Sequence, residues 1–339
     1  MTLTICRSFS NFRNCVIPIV NNNRHTNNYC TVQFSNRSEE NKCFVIQDVI
    51  NKWKNEFEVS DISEPKQSIE YILAHVLAHK TISDVNKSCH RHVSTAQLKL
   101  IDKLCQCRMA HMPVQYIIGE WDFKDLTLKV VPPVFIPRPE TEQLVDLVLQ
   151  HFINKSSMSL KILEIGCGSG AIILALLKQL PKLKATAVDQ SLHACRTTLD
   201  NALALGLSER LRLLQAKLSD DNLLTQVLEG PYDCVVSNPP YVPTGDLVKL
   251  QPEIKLYEDL RALDGGPDGL TVIKPILKLC SQKLIINGSV FLEVDTTHPE
   301  LLAKWLQEEN DKHKFNLRLK DVYKDFAGKN RFVRIERIS

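Results

Sequence analysis

The chain has 339 residues, 44% hydrophobic, 24% charged and 6% aromatic, an ordinary globular composition and enough length for about two domains. No apolar run approaches the ~20 residues that cross a bilayer, and 12 glycines with 16 prolines are too few for a collagen-like or low-complexity polymer. The net charge of +3 is concentrated: residues 1–38 hold Arg7, Arg13, Arg24 and Arg37 with no Asp, Glu or Lys, so the remainder stands at about −1 and lacks the global positive field of a nucleic-acid binder.

Residues 1–40, rich in Ser, Asn and Arg and without a compact apolar segment, read as a mitochondrial transit peptide, the bland alternative being a disordered tail. Asn21, Asn22 and Asn23 interrupt the amphipathic helix of such a leader. Eleven cysteines in a long chain without a secretory signal point to free thiols in a reducing compartment. Residues 41–112 read as a helical recognition or support domain. Phe44, Val45, Val49, Ile50, Trp53 and Phe57 form a helical stripe in Cys43–Phe57. Ser63-Glu64-Pro65 opens a second helix, and Ser94 with Gln97 makes a capping box for a third, which runs to about Ala110 and ends at Pro113. Cys105 and Cys107, two apart, do not share a helix face. His75 and His79, four apart, have no accompanying third ligand, so no metal is expected.

Residues 113–136 switch period. Val114–Gly119 and Leu126–Val130 read as two short strands paired as a hairpin, followed by a stiff connector with prolines at 132, 133, 137 and 139. Strands and helices then alternate over residues 137–339. Strands are predicted at Lys161–Ile165, Ala185–Asp189, Leu211–Gln215, Tyr232–Ser237, Ser289–Asp295, Phe315–Val322 and Arg331–Ile338. Helices are predicted at Ala171–Leu180, Ser191–Leu205, Thr271–Leu284 and near Pro299–Gln307. The alternation predicts an α/β fold, a Rossmann-like doubly wound parallel sheet covered on both faces. The last two strands have no helix between them and form a C-terminal antiparallel hairpin.

Two loops at predicted strand ends carry the chemistry. Glu164-Ile165-Gly166-Cys167-Gly168-Ser169-Gly170 joins the first strand to its helix, where glycines let the backbone turn sharply and bring N–H groups to a ligand. Asp189 ends the next strand, placed to accept the hydroxyls of a ribose. Gly166-x-Gly168-x-x-Ala171 also fits a dinucleotide fingerprint. Glu164 favours the alternative, since an acid there can organise a cationic amine, whereas a pyrophosphate would be repelled.

Ser237-Asn238-Pro239-Pro240-Tyr241 follows the apolar strand Tyr232–Ser237. A planar nitrogen is a poor nucleophile because its lone pair is delocalised. The Asn238 side-chain oxygen can accept one of its N–H groups and the Pro239 carbonyl the other, which favours positive charge on nitrogen and aims the lone pair at an incoming methyl group. The prolines stiffen the loop, and Tyr241 offers a stacking face. No strong base is needed, because the methylated nitrogen loses its proton to water.

Gly166–Gly170, Asp189 and Asn238–Tyr241 resemble a class I S-adenosylmethionine-dependent methyltransferase acting on planar amino groups. Met112–Gly119, Phe135-Ile136-Pro137-Arg138-Pro139-Glu140-Thr141-Glu142 and Glu258–Gly266 look like the HemK/PrmC family of release-factor glutamine methyltransferases, a resemblance running from about residue 65 onward. It implies N5-methylation of the glutamine in the Gly-Gly-Gln loop of peptide-chain release factors. With the arginine-rich leader, it implies mitochondrial release factors as protein partners, in the mitochondrial matrix. Residues 41–112 would then recognise substrate and 137–339 form the methyltransferase domain.

The resemblance implies that Glu164, Gly166, Cys167, Gly168, Ser169 and Gly170 hold the methionine part of S-adenosyl-L-methionine, Asp189 the ribose and Leu218 the adenine, with Asn238 beside them. Asn238, Pro239, Pro240 and Tyr241 would bind and activate the target glutamine. Arg138 would anchor the substrate backbone, and Thr141 and Glu142 would start a helix that shapes the pocket. One departure stands out: Gln215-Ala216-Lys217-Leu218 replaces the family's acid followed by a bulky residue beside adenine, so backbone groups or Asp220 would substitute. Three rivals remain: a DNA or RNA exocyclic-amine methyltransferase, a silent cofactor-binding scaffold and a nicotinamide-dependent oxidoreductase. The first would need a basic surface for the nucleic-acid backbone. The second is disfavoured by the intact Asn-Pro-Pro-Tyr. No membrane partner is expected.

Overall fold

Buried apolar side chains recur along each of the first helices at the spacing that puts them on one face. The computed structural model describes residues 44–153, 159–218 and 226–339, so the leader at 1–40 and Asp220 lie outside the described residues. A two-residue strand, β1 (Phe44–Val45), precedes α1 (Ile46–Val59), whose Ile46, Val49, Ile50, Trp53 and Phe57 are all buried. They pack with Ile69, Ile72 and Leu73 of α2 (Pro65–Val76). Thr81 and Asp84 form a reciprocal capping box at α3 (Ile82–Lys87), an element the hydrophobic pattern alone does not suggest. After β2 (His92–Val93), which pairs with β1, the predicted Ser94–Gln97 box opens α4 (Thr95–Met109).

The expected hairpin is displaced. Val114–Ile118 is not a strand but a helix, α5, capped by Pro113 before it and by Gly119 at φ 84 after it. Its side chains Val114, Tyr116 and Ile117 are all buried, a pattern that alternation cannot satisfy, and the Tyr116 hydroxyl donates to the Val134 carbonyl at 2.6 Å. β3 (Glu120–Phe123) takes its place opposite β4 (Leu126–Lys129).

From α6 (Pro139–His151) onward the chain builds the sheet. In order come β5 (Lys161–Ile165), α7 (Ala171–Gln179), β6 (Lys184–Asp189), α8 (Leu192–Ala204), β7 (Leu211–Gln215) and β8 (Tyr232–Ser237). Then follow α9 (Pro252–Tyr257), α10 (Ile273–Lys283), β9 (Leu284–Glu293), α11 (His298–His313), β10 (Leu317–Lys324) and β11 (Asn330–Arg337). The seven strands lie in the order β10-β11-β9-β8-β5-β6-β7. Only β11 runs against the other six strands, as the helix-free link before it predicts.

Alternate residues of the central strands enter opposite cores, as expected of a sheet covered on both sides. Ile162, Val236 and Phe291 pack with Leu174 and Leu177 of α7 and Leu144 of α6, whereas Leu163, Val235 and Val290 pack with Ile276 of α10 and Leu302 of α11. The chain reverses its direction across the sheet between neighbours β5 and β8, which opens a crevice at their carboxyl ends, where such sheets bind ligands.

Candidate active site

That crevice holds a cavity of about 390 Å³. Glu164, Gly166, Cys167, Gly168, Ser169, Asp189 and Leu218 line one part, and Asn238, Pro239, Pro240 and Tyr241 another, so both predicted loops face one space. Gly166 and Gly168 sit at φ 78 and 54, and a Cβ on either would meet nothing within 4 Å. The backbone there is turned into a conformation that favours glycine and leaves open space beside it. Gly170 and Arg138 do not line the cavity. Gly170 starts α7 at φ 85, packed so closely that a Cβ would lie 2.9 Å from Leu174 Cδ1.

The acids of this cavity sit in a demanding environment. Glu164 is 1% exposed, and its Oε2 has no hydrogen-bond partner. Burial, then the nearby Asp189 charge, pushes its carboxyl well above the ordinary glutamate range. Asp189 Oδ2 accepts from the Gly168 N–H at 3.0 Å and Oδ1 from the Ser191 N–H at 2.8 Å. Burial raises Asp189 despite those bonds. A carboxylate has about four lone-pair sites, so each Asp189 oxygen retains capacity for a hydroxyl donor. An unpaired buried acid, a second acid with spare acceptors and an open glycine turn fit the amine, ribose and methionyl backbone of S-adenosylmethionine. Leu218 also lines the cavity beside Lys217 and packs against the core, and Asp259 and Arg261 line it too, bonded to each other at 2.6 Å.

The second loop is held from three directions. Asn238 Nδ2 donates to Thr141 Oγ1 at 3.0 Å, and the Thr141 hydroxyl donates to Glu293 Oε2 at 2.8 Å. The Tyr241 hydroxyl donates to Glu293 Oε1 at 3.0 Å, and the Arg331 guanidinium lies over its ring at 5.9 Å. Burial, then Glu293, pushes the Tyr241 hydroxyl above its ordinary value. Behind the loop, Val242 donates to the Leu263 carbonyl and accepts from the Gly265 N–H, so the segment from Glu258 to Gly266 braces it.

Arg138 is committed elsewhere: its Nη2 donates to Glu258 Oε1 at 2.6 Å while Phe135 lies under the guanidinium. Glu142 accepts the Lys124 N–H at 3.0 Å. Thr141, on the first turn of α6, is buried and lines the cavity. Sequence reasoning missed Glu293, although its signal resembles that of Asp189, an acid at the end of an apolar strand. It also missed Asp259 and Arg261, whose loop carries no strand or helix pattern.

Among known families, a model described as the PrmC N-terminal domain matches residues 48–119, and one described as the Methyltransferase small domain matches residues 127–253. The MTRF1L release factor glutamine methyltransferase of Homo sapiens is 45% identical over 296 residues, which cover 86% of this chain and 87% of that protein. A release factor glutamine methyltransferase of Thermodesulfovibrio yellowstonii is 32% identical over 292 residues, 86% of this chain and 96% of that one. Another, of Caulobacter vibrioides, is 34% identical over 241 residues, 71% and 81% of the two chains.

Proposed function

The chain belongs to the release factor glutamine methyltransferase family, and from that premise we propose that it methylates the side-chain nitrogen of the Gly-Gly-Gln glutamine in mitochondrial release factors. The observation that carries the reading is the single cavity shared by the acidic glycine-loop end and the Asn238–Tyr241 loop. S-adenosylmethionine supplies an electrophilic methyl group. Glu164 would hold its amine, the open turn at Gly166–Gly168 would leave room for its methionyl backbone, and Asp189 would hold its ribose and Leu218 its adenine.

Asn238 Oδ1 and the Pro239 carbonyl accept the two N–H groups of the target amide. These bonds strengthen as positive charge grows on nitrogen, so they act on the transition state more than on the bound substrate. They also turn the lone pair out of conjugation and towards the methyl donor. Pro239 and Pro240 keep the carbonyl from swinging away, and Tyr241 walls the amide plane. The nitrogen then releases its proton to water. The acid-free, arginine-bearing stretch 1–38 supports a mitochondrial site of action.

The test is mass spectrometry of a mitochondrial release factor incubated with the protein and S-adenosylmethionine. One methyl group on the Gly-Gly-Gln glutamine is expected, with Asn238→Ala lowering the rate by ~10²- to 10³-fold while leaving cofactor affinity unchanged. No methyl gain on a folded release factor would overturn the substrate assignment, and radiolabel transfer to nucleic acid instead would favour the exocyclic-amine reading.

A further inference from the structure

We propose that Glu293 is a positioning residue which, through the Thr141 hydroxyl, fixes which end of the Asn238 amide faces the substrate. The inference rests on the role given above to Asn238 and explains what holds that role in place.

Glu293 closes β9, is 2% exposed, and follows Leu292, the residue in register with Ser237 on β8. The strand pairing therefore brings Glu293 level with the start of the Asn-Pro-Pro-Tyr loop. An ionised carboxylate only accepts hydrogen bonds. Thr141 has one hydroxyl proton, and the 2.8 Å bond commits it to Glu293 Oε2. Towards Asn238, Thr141 can then only accept. The amide must present Nδ2 to it, as the 3.0 Å contact shows, and Oδ1 is turned to the other side. The flipped amide would set oxygen against an oxygen whose proton is already used, leaving a buried polar pair unsatisfied. It would also offer the substrate a donor where an acceptor is required.

The same carboxylate accepts from Tyr241 through Oε1 at 3.0 Å, so one side chain secures both ends of the catalytic loop. Around Glu293, Thr141 and Glu140 come from α6, Tyr241 from the loop and Arg331 from β11. Burial raises the Glu293 carboxyl, the bonds from Thr141 and Tyr241 and the charge of Arg331 oppose the rise, and Glu140 adds to it. Only the ionised form accepts from both hydroxyls without donating, so the lock weakens as pH falls through the raised pKa.

The experiment measures kcat, release-factor KM and S-adenosylmethionine Kd across pH for the whole protein and for Thr141→Val, Thr141→Ser and Glu293→Gln. Thr141→Val keeps the side-chain shape and removes the relay, so it serves even if Glu293→Gln folds poorly. Expected is a drop in kcat of ~10-fold or more in Thr141→Val, with KM and Kd within about twofold of wild type. Thr141→Ser should regain most of that loss. In Glu293→Gln the acidic limb of the kcat profile should disappear. A wild-type kcat in Thr141→Val would overturn the proposal, as would parallel losses of cofactor affinity and kcat in both relay variants. Failure of the wild-type protein to methylate a release factor would instead overturn the functional reading itself.

Discussion

Glu164 is placed where a carboxylate is hardest to keep charged, buried with one oxygen unpartnered and Asp189 nearby. Such a group destabilises the protein alone and is compensated when a cation arrives. Its native carboxyl titrates above the unfolded value, so between those two values the native state binds the extra proton and stability falls as pH rises. Glu164→Gln should therefore lose less Tm than wild type as pH rises above the unfolded value, read by calorimetry without cofactor. The same change should weaken S-adenosylmethionine binding ~30-fold or more, measured by titration calorimetry. At this scale the two loops that share the cavity were legible, because each is a contiguous stretch at the end of a predicted strand. Glu293 was not, because it meets Thr141 and Tyr241 across 152 and 52 positions of chain. The bond from Arg138 to Glu258 was not legible either, since it joins residues 120 positions apart.

The elements that alternate in period were legible nearly to the residue: β5, β7 and β8 fall where their apolar runs do. α5 was not, because Val, Tyr and Ile are strand-favouring types, and joint burial of Val114, Tyr116 and Ile117 outweighed that preference. α3 was not legible either, because its apolar content is too low for periodicity to reveal it. The turn behind the Asn238–Tyr241 loop is set by contact rather than pattern. A Cβ on Gly269, at φ 73, would lie 2.5 Å from the Tyr241 carbonyl oxygen and 2.6 Å from His298 Nε2. Gly269→Ala should push the Asn238–Tyr241 loop out of place and lower kcat by ~10- to 100-fold, with cofactor affinity nearly unchanged. Steady-state kinetics beside a cofactor titration separates the two effects.

At the scale of the whole molecule, the helical region and the sheet meet at a buried ion pair. Arg108 of α4 reaches Glu253 of α9 at 2.9 Å and also donates to Ser63 and to the Met112 carbonyl. Burial works against the charged Glu253, but its own backbone, Ser63 and Arg108 outweigh it and hold the carboxyl below the ordinary range. Stability from this group is present above the unfolded pKa and lost as pH falls through the native one. Arg108→Met leaves Glu253 buried without its guanidinium partner and should cost about 3–5 kcal/mol, seen in chemical denaturation, with the loss smaller in acid. The fold class was legible from strand–helix alternation, whereas this joint was not, since it links residues 145 positions apart. The position of β11 bears on how the protein is made. It lies between β9 and β10 yet follows both in the chain. A nascent chain translated as far as Lys324 already carries the glycine loop, Asn238–Tyr241 and Glu293, but β9 is an open edge, β10 has no neighbour, and Tyr241 lacks the Arg331 guanidinium over its ring. The site is finished only when residues 330–337 leave the ribosome, and until then an unpaired sheet edge is exposed to other chains, the interval in which a chaperone would matter most.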